Sequence, residues 1–291
     1  MKPILVVGAT GNLGRQVISQ LLAMKISVRA LARNPDTANL PSSVEIIRGD
    51  LTIPDTLDRC LKNVDVVFLV WCAAAEAVAP ALAQITQHVK RVVFLSSPHR
   101  TAHPFFQQAG WQPGDSMLNP AAALHLEIER LIVSSGLQWT FLRPGMFAVN
   151  TRAWWASMIR SGNIVRWPYA RALTSPIHER DIATVAARML CEEGHSGEDH
   201  VLTGPQSLTQ LEQVGIIAEV VGRPLRYQEI SPEEARSELR MPPPVINMLL
   251  NAWAASIGQP AFVTSAVADI TGTPARTYRD WVFDHASDFR G

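Results

Sequence analysis

Gly8-Ala9-Thr10-Gly11-Asn12-Leu13-Gly14 sets three glycines at G-x-x-G-x-x-G spacing directly behind the apolar run Pro3-Ile4-Leu5-Val6-Val7. The stretch Arg15 to Met24 follows, and Leu13, Val17 and Leu21 fall at helical spacing. Strand, glycine turn and helix in that order point to a dinucleotide site. Gly8 permits the tight turn, Gly11 lets backbone approach a pyrophosphate, and Gly14 lets the helix pack close to the strand. The pyrophosphate would then rest on the helix's positive N-terminus. The competing reading is an ordinary glycine-rich turn between a strand and a helix.

The end of the second apolar run, Ile26 to Ala32, carries the next chemical signal. A site for NAD usually places a carboxylate about 20 residues past the glycines, on the ribose 2′-hydroxyl. No Asp or Glu occurs here between Gly14 and Asp36, and Arg33 stands in that place. A carboxylate would repel a 2′-phosphate, whereas a guanidinium can clamp it. NADP(H) is therefore favoured over NAD(H), with Asn12 as a further hydrogen-bonding group for that phosphate. Arg33 as a solvated charge at the end of a strand is the alternative.

These residues need a framework, and the chain supplies one. Its 291 residues with 47% hydrophobic content suit one α/β domain with an appended lobe. Formal net charge is +0, from 26 basic and 26 acidic residues, so nothing electrostatic argues for nucleic acid or an anionic membrane as partner. Cys60, Cys72 and Cys191 are scattered and form no CxxC, which fits reduced thiols in a cytoplasmic protein. The sequence enters its first strand at once, so no signal peptide is expected, and no apolar run approaches a membrane span.

Strands and helices alternate through the first half. Val44 to Arg48 closes on Gly49-Asp50-Leu51, Asp55 to Leu61 is a short helix, and Val64 to Val70 is a continuous apolar run of the kind buried on both faces. Ala73 to Val89 is helical, with Pro80 kinking or restarting it. Val92 to Leu95 ends on Ser96-Ser97, Ala121 to Ser134 is a helix, and Trp139 to Leu142 closes on Arg143-Pro144-Gly145. Alternation of this kind implies a Rossmann-type doubly wound parallel sheet. Pro98 to Pro120, with His99, Arg100 and His103, is an irregular loop with the length of a lid. The expected division is residues 1–150 as the NAD(P)-binding domain and 151–291 as a smaller, mostly helical lobe covering the substrate, with sheet elements able to return to the first domain. Trp154, Trp155, Met158 and Trp167 in that lobe read first as core packing and second as pocket lining. No metal cluster and no GxSxG nucleophile is present.

The glycine turn, Val28-Arg-Ala-Leu-Ala-Arg-Asn-Pro35, Gly49-Asp50-Leu51, Ser134 to Phe147, Arg180-Asp-Ile-Ala183 and Leu202-Thr-Gly-Pro205 occur in one order. Together they resemble the NmrA-like atypical short-chain dehydrogenases/reductases, nearest to the NADPH:quinone-oxidoreductase-like and NAD(P)H-azoreductase-like members. The resemblance places Gly8, Thr10, Gly11, Asn12, Leu13 and Gly14 on the phosphate loop and Arg33 at the 2′-phosphate. It places Asp50 and Leu51 beside the adenine, and Val70 and Trp71 near the nicotinamide ribose. Ser96 and Ser97 fall where such enzymes keep a catalytic serine, and Pro144 to Phe147 fall beside the nicotinamide ring.

The sequence departs from that family at the usual Tyr-xxx-Lys pair, whose places fall on Ala121 and His125. No Lys follows Lys90, and none of Tyr169, Tyr227 and Tyr278 has a Lys four residues on. His125, with Ser97, is then the catalytic candidate, as proton donor or as a ribose partner. The expected activity is hydride transfer from NADP(H) to a small aromatic or conjugated carbonyl acceptor such as a quinone or enone, held between the Pro98–Pro120 loop and the Trp-rich lobe. A monomer or homodimer is expected. The alternatives are a non-catalytic redox sensor that reads the cofactor, and a non-redox isomerase, dehydratase or cyclase on the same fold.

Overall fold

Four aliphatic residues with no exposed face, Ile4–Val7, make β1, and every other strand of the central sheet is laid out from it. The computed structural model describes residues 2–98, 106 and 120–290. β1 pairs in parallel with β2 (Val28–Ala32) on one side and β4 (Val66–Leu69) on the other, with Ile4 opposite Val28 and Leu5 opposite Val67. β3 (Glu45–Arg48) joins β2, β5 (Arg91–Leu95) joins β4, and β6 (Gln138–Pro144) joins β5, all parallel. The full order is β3-β2-β1-β4-β5-β6-β9, β9 being Glu198–Leu202. Strand order reverses between β1 and β4, the switch point at which open α/β sheets bind ligands beyond their carboxyl ends.

Helices cover this sheet. α1 (Asn12–Ala23) buries Val17, Ile18 and Leu21 and packs against α6 (Glu179–Cys191). α2 (Leu57–Leu61), α3 (Val78–His88) and α4 (Pro120–Ser134) contribute Cys60, Leu82, Ile85, Ile128 and Ile132 to a core with Leu5, Val67, Val92 and Phe94. Pro80 restarts rather than kinks its helix. A single 3-10 turn, Ala75–Ala77, ends where α3 begins, and Pro80 lies in the first turn of α3, where no intrahelical N–H is lost.

The chain divides into two compact units. The first comprises Met1–Ser97, Leu124–Arg143 and Glu179–His200; the second comprises Pro98–Ala123, Pro144–His178 and Val201–Gly291. Within the second, α5 (Val149–Ser161), the parallel pair β7 (Ile164–Trp167) and β11 (Arg226–Glu229), the antiparallel pair β8 (Leu173–Thr174) and β10 (Leu208–Thr209), and α7 (Gln210–Val221) surround their own core. Trp155, Trp167 and Trp253 lie at its centre with at most 1% exposure, their rings 5.6–6.0 Å apart in edge-on pairs. That settles the question for Trp155 and Trp167, which with Trp253 pack the core and present no surface to a guest. A ring's large apolar area at helical spacing reads the same in either role, so sequence could not separate them.

Except for Pro98, Phe106 and Pro120, the expected loop, with His99, Arg100 and His103, lies outside the described residues. Among the described residues no helix is long and apolar enough to cross a membrane, and Cys60, Cys72 and Cys191 are free thiols.

Candidate cofactor and active site

The carboxyl ends of five parallel strands deliver the candidate residues to one edge of the sheet. Gly8 follows β1, Arg33 follows β2, Asp50 follows β3, Val70 follows β4 and Ser96 follows β5. The three glycines differ in what a side chain would meet. Gly8 has φ +78°, and a Cβ there would come within 2.8 Å of the Val70 Cβ. Gly14, inside α1, would put a Cβ 2.2 Å from the Gly8 carbonyl oxygen. Gly11 has ordinary extended backbone (φ −74°, ψ 169°), and a Cβ would meet only that same oxygen, at 3.3 Å. Gly11 is thus bare on its outer side while Gly8 and Gly14 close the turn beneath it.

Gly11 is also the N-cap of α1, and no side chain caps this helix. The first-turn N–H groups therefore lack the usual intrahelical or capping acceptor, and the helix dipole adds partial positive charge there. An anion fits this cradle, and no acidic residue stands in the first turn to oppose one. Thr10 and Asn12 are exposed beside it; Leu13 is buried, which leaves only its backbone to face a ligand.

Arg33 is exposed, and its charge reaches both Asp50 and Cys72. Asp50 is held below the usual carboxylate range, first by the Thr52 backbone N–H and hydroxyl, which both donate to its Oδ1 (2.9 and 2.8 Å), and then by Arg33. Burial raises the Cys72 thiol, with Arg33 opposing. Leu51 is buried in the core. Trp71 is half-buried, and its indole N–H donates to the Ala73 carbonyl at 2.8 Å.

At the end of β5 the two serines part. Ser97 Oγ lies 2.9 Å from His125 Nδ1, and the imidazole meets the Phe94 ring at 5.8 Å and 63°. Ser96 Oγ instead donates to Glu129 Oε1 at 2.6 Å, away from that pair. Glu129 lies one turn beyond His125 on α4 and is 2% exposed. Arg143, at the end of β6, donates to both its oxygens (Nε 3.1 Å, Nη2 2.9 Å) and reaches Asp199 on β9 with Nη1 at 2.9 Å. Pro144 and Phe147 belong to the second unit. Gly145 N–H donates there to the Leu202 carbonyl at 2.8 Å, and Phe147 bridges to Ile177. Among the described residues no group of three His, Cys, Asp or Glu is placed to hold a metal ion.

Sequence reasoning missed Glu129, Arg143 and Asp199. The first carried a usable signal: Glu129 lies four residues past His125 and so on the same helical face. Arg143 read only as the close of a strand, and nothing local marks Asp199.

A parallel sheet in this order, with a glycine turn at its switch point and an uncapped helix behind, defines a Rossmann-type nucleotide-binding protein. A family model described as NAD(P)H-binding matches residues 8–193. The (4-alkanoyl-5-oxo-2,5-dihydrofuran-3-yl)methyl phosphate reductase of Streptomyces griseus is 35% identical, over 98% of this chain and 99% of its own. The NAD(P)H azoreductase of Xenophilus azovorans is 32% identical over the same shares. The NADPH-dependent quinone oxidoreductase QOR2 of Escherichia coli, solved with NADPH, shares the fold at a TM-score of 0.77 and 23% identity, over 97% of this chain and 99% of that one. The chain belongs to the NAD(P)H-binding family and is an NAD(P)H-dependent oxidoreductase.

Proposed function

We propose that this oxidoreductase uses NADPH in preference to NADH and reduces a small aromatic or conjugated acceptor, such as a quinone or enone. The observation that carries the reading is the Ser97–His125 pair at the sheet's carboxyl edge, where a Tyr-xxx-Lys pair would otherwise serve. When bound, NADPH supplies the hydride. Gly11 and the first turn of α1 would receive the pyrophosphate, and Arg33 would receive the 2′-phosphate. The Ser97–His125 pair would hold the nicotinamide ribose. Ser96, turned toward Glu129, serves the framework beneath. An acceptor that delocalises the negative charge it gains needs no strong acid from the protein and can take its proton from water. The named relatives fit this: a dihydrofuranone, an azo compound and a quinone each offer a conjugated acceptor.

Two measurements test the reading. Fluorescence titration should show NADPH binding about tenfold or more tighter than NADH, since one charge-assisted hydrogen bond contributes about 1.5–3 kcal/mol. Arg33→Ala should remove that preference; equal affinities in the wild-type protein reject it. Steady-state kinetics across pH should show turnover of a quinone and almost none of a simple ketone. His125→Ala should slow quinone reduction only a few-fold and weaken NADPH binding, short of the roughly 10²–10⁴-fold loss expected for a missing general acid. Collapse of turnover with unchanged NADPH affinity would make His125 the proton donor instead. Tight NADPH binding without turnover of any acceptor would favour a cofactor sensor.

A further inference from the structure

We propose that Arg15 is a positioning residue that presets the site for the 2′-phosphate, a reading that rests on NADPH being the preferred cofactor. Arg15 follows Gly14 at the start of α1, where a cation opposes the helix dipole. Its guanidinium is held by backbone oxygens from two separate segments. Nε donates to the Thr10 carbonyl at 3.0 Å, inside the glycine turn. Nη1 donates to the Asn39 carbonyl at 2.5 Å and Nη2 to the Ala38 carbonyl at 2.7 Å, both on the stretch that leaves β2 past Arg33.

That stretch is short and locally ordered. Pro35–Thr37 form one 3-10 turn, the Ala38 N–H returns to the Pro35 carbonyl at 3.2 Å, and Ala38 is buried. Asn39 takes left-handed backbone at φ +46°. Arg15 thus ties the glycine turn to the far end of the loop that begins at Arg33. The first segment offers the cradle for the pyrophosphate and the second the cation for the 2′-phosphate. Two anionic groups on one ligand can be met together only if these segments keep a fixed separation. A planar fork with donors on all three nitrogens fixes it before the ligand arrives, which removes an ordering cost from binding. Lys, a single point charge on a flexible stem, cannot span three carbonyls in two segments at once.

The test is a double-mutant cycle on cofactor affinity, read by fluorescence titration without turnover. Arg15→Met should weaken NADPH binding about tenfold and NADH binding no more than two- to threefold, with the ligand-free far-ultraviolet spectrum retained. In the Arg33→Ala background the same change should weaken NADPH only as much as NADH, because the group it positions is gone. Arg15→Lys should behave as Arg15→Met. If Lys restores NADPH affinity, Arg15 acts through its charge and not as a tie. Equal weakening of both cofactors, or full additivity with Arg33→Ala, would also overturn the proposal. A wild-type protein without NADPH preference overturns the 2′-phosphate reading itself, and Arg15's part in it; a preference that Arg15→Met leaves undiminished overturns Arg15 alone.

Discussion

Gly11→Val should give a folded protein that has lost at least about a hundredfold in NADPH affinity, or roughly 2.7 kcal/mol. Gly11 has backbone angles that any residue adopts, and a Cβ there meets one atom, the Gly8 carbonyl oxygen at 3.3 Å, so the valine is accommodated once that oxygen gives by a few tenths of an ångström. Its two methyl groups would instead stand over the uncapped start of α1, where a pyrophosphate must come close to backbone N–H groups. Gly14→Ala supplies the contrast. Its added methyl would lie 2.2 Å from the Gly8 oxygen and 2.9 Å from the Ala9 Cα, both backbone atoms that a flexible side chain cannot yield for. That variant should lose stability first and cofactor binding only as a consequence. Circular dichroism melts and NADPH titration on both variants separate the cases. Gly11→Val with a normal melt and normal affinity would move the site elsewhere, and Gly14→Ala with a wild-type melting temperature would contradict the packing described.

The contrast between these glycines shows why the first unit was readable from sequence. Turn, strand and helix there are contiguous, so the chemistry is written in local spacing, and strands buried on both faces appear as unbroken apolar runs. Arg33, Ser97 and His125 could be placed because each stands at the end of such a run or on a helix of clear period. What escaped reading depends on contacts between distant segments. Arg15 meets carbonyls 23 and 24 residues away, and Glu129 meets Arg143 across 14 residues and Ser96 across 33. Pairings of that kind leave no period in the chain. The tryptophans of the second unit pose the opposite problem, since their composition is loud but a buried ring and a pocket wall share one spacing.

Arg143→Met should destabilise the protein by about 3–5 kcal/mol, the range for removing one partner of a buried ion pair. Glu129 and Arg143 are each 3% exposed at their side chains, and two of the guanidinium's donors engage both carboxylate oxygens. Arg143 also lies 5.9 Å over the Phe141 ring, so its removal loses packing as well as charge. Asp199, the other carboxylate on Arg143, is 39% exposed and can turn to water, so Asp199→Asn should cost under about 1 kcal/mol. Replacing both partners, Glu129→Leu with Arg143→Met, removes the buried carboxylate as well and should recover part of the loss, which makes the pair non-additive. Urea unfolding of the four proteins decides this; an Arg143→Met cost no larger than that of Asp199→Asn would show that the pair is solvated in the folded state. The pair also bears on the site. α4 is fastened to the end of β5 by two adjacent bonds, Ser96 to Glu129 and Ser97 to His125, and Arg143 fixes the first. Once Arg143 no longer holds Glu129, the turn of α4 that carries the imidazole is fastened less firmly to β5. The ¹⁵N resonances of His125 should then broaden in Arg143→Met and stay sharp in Asp199→Asn.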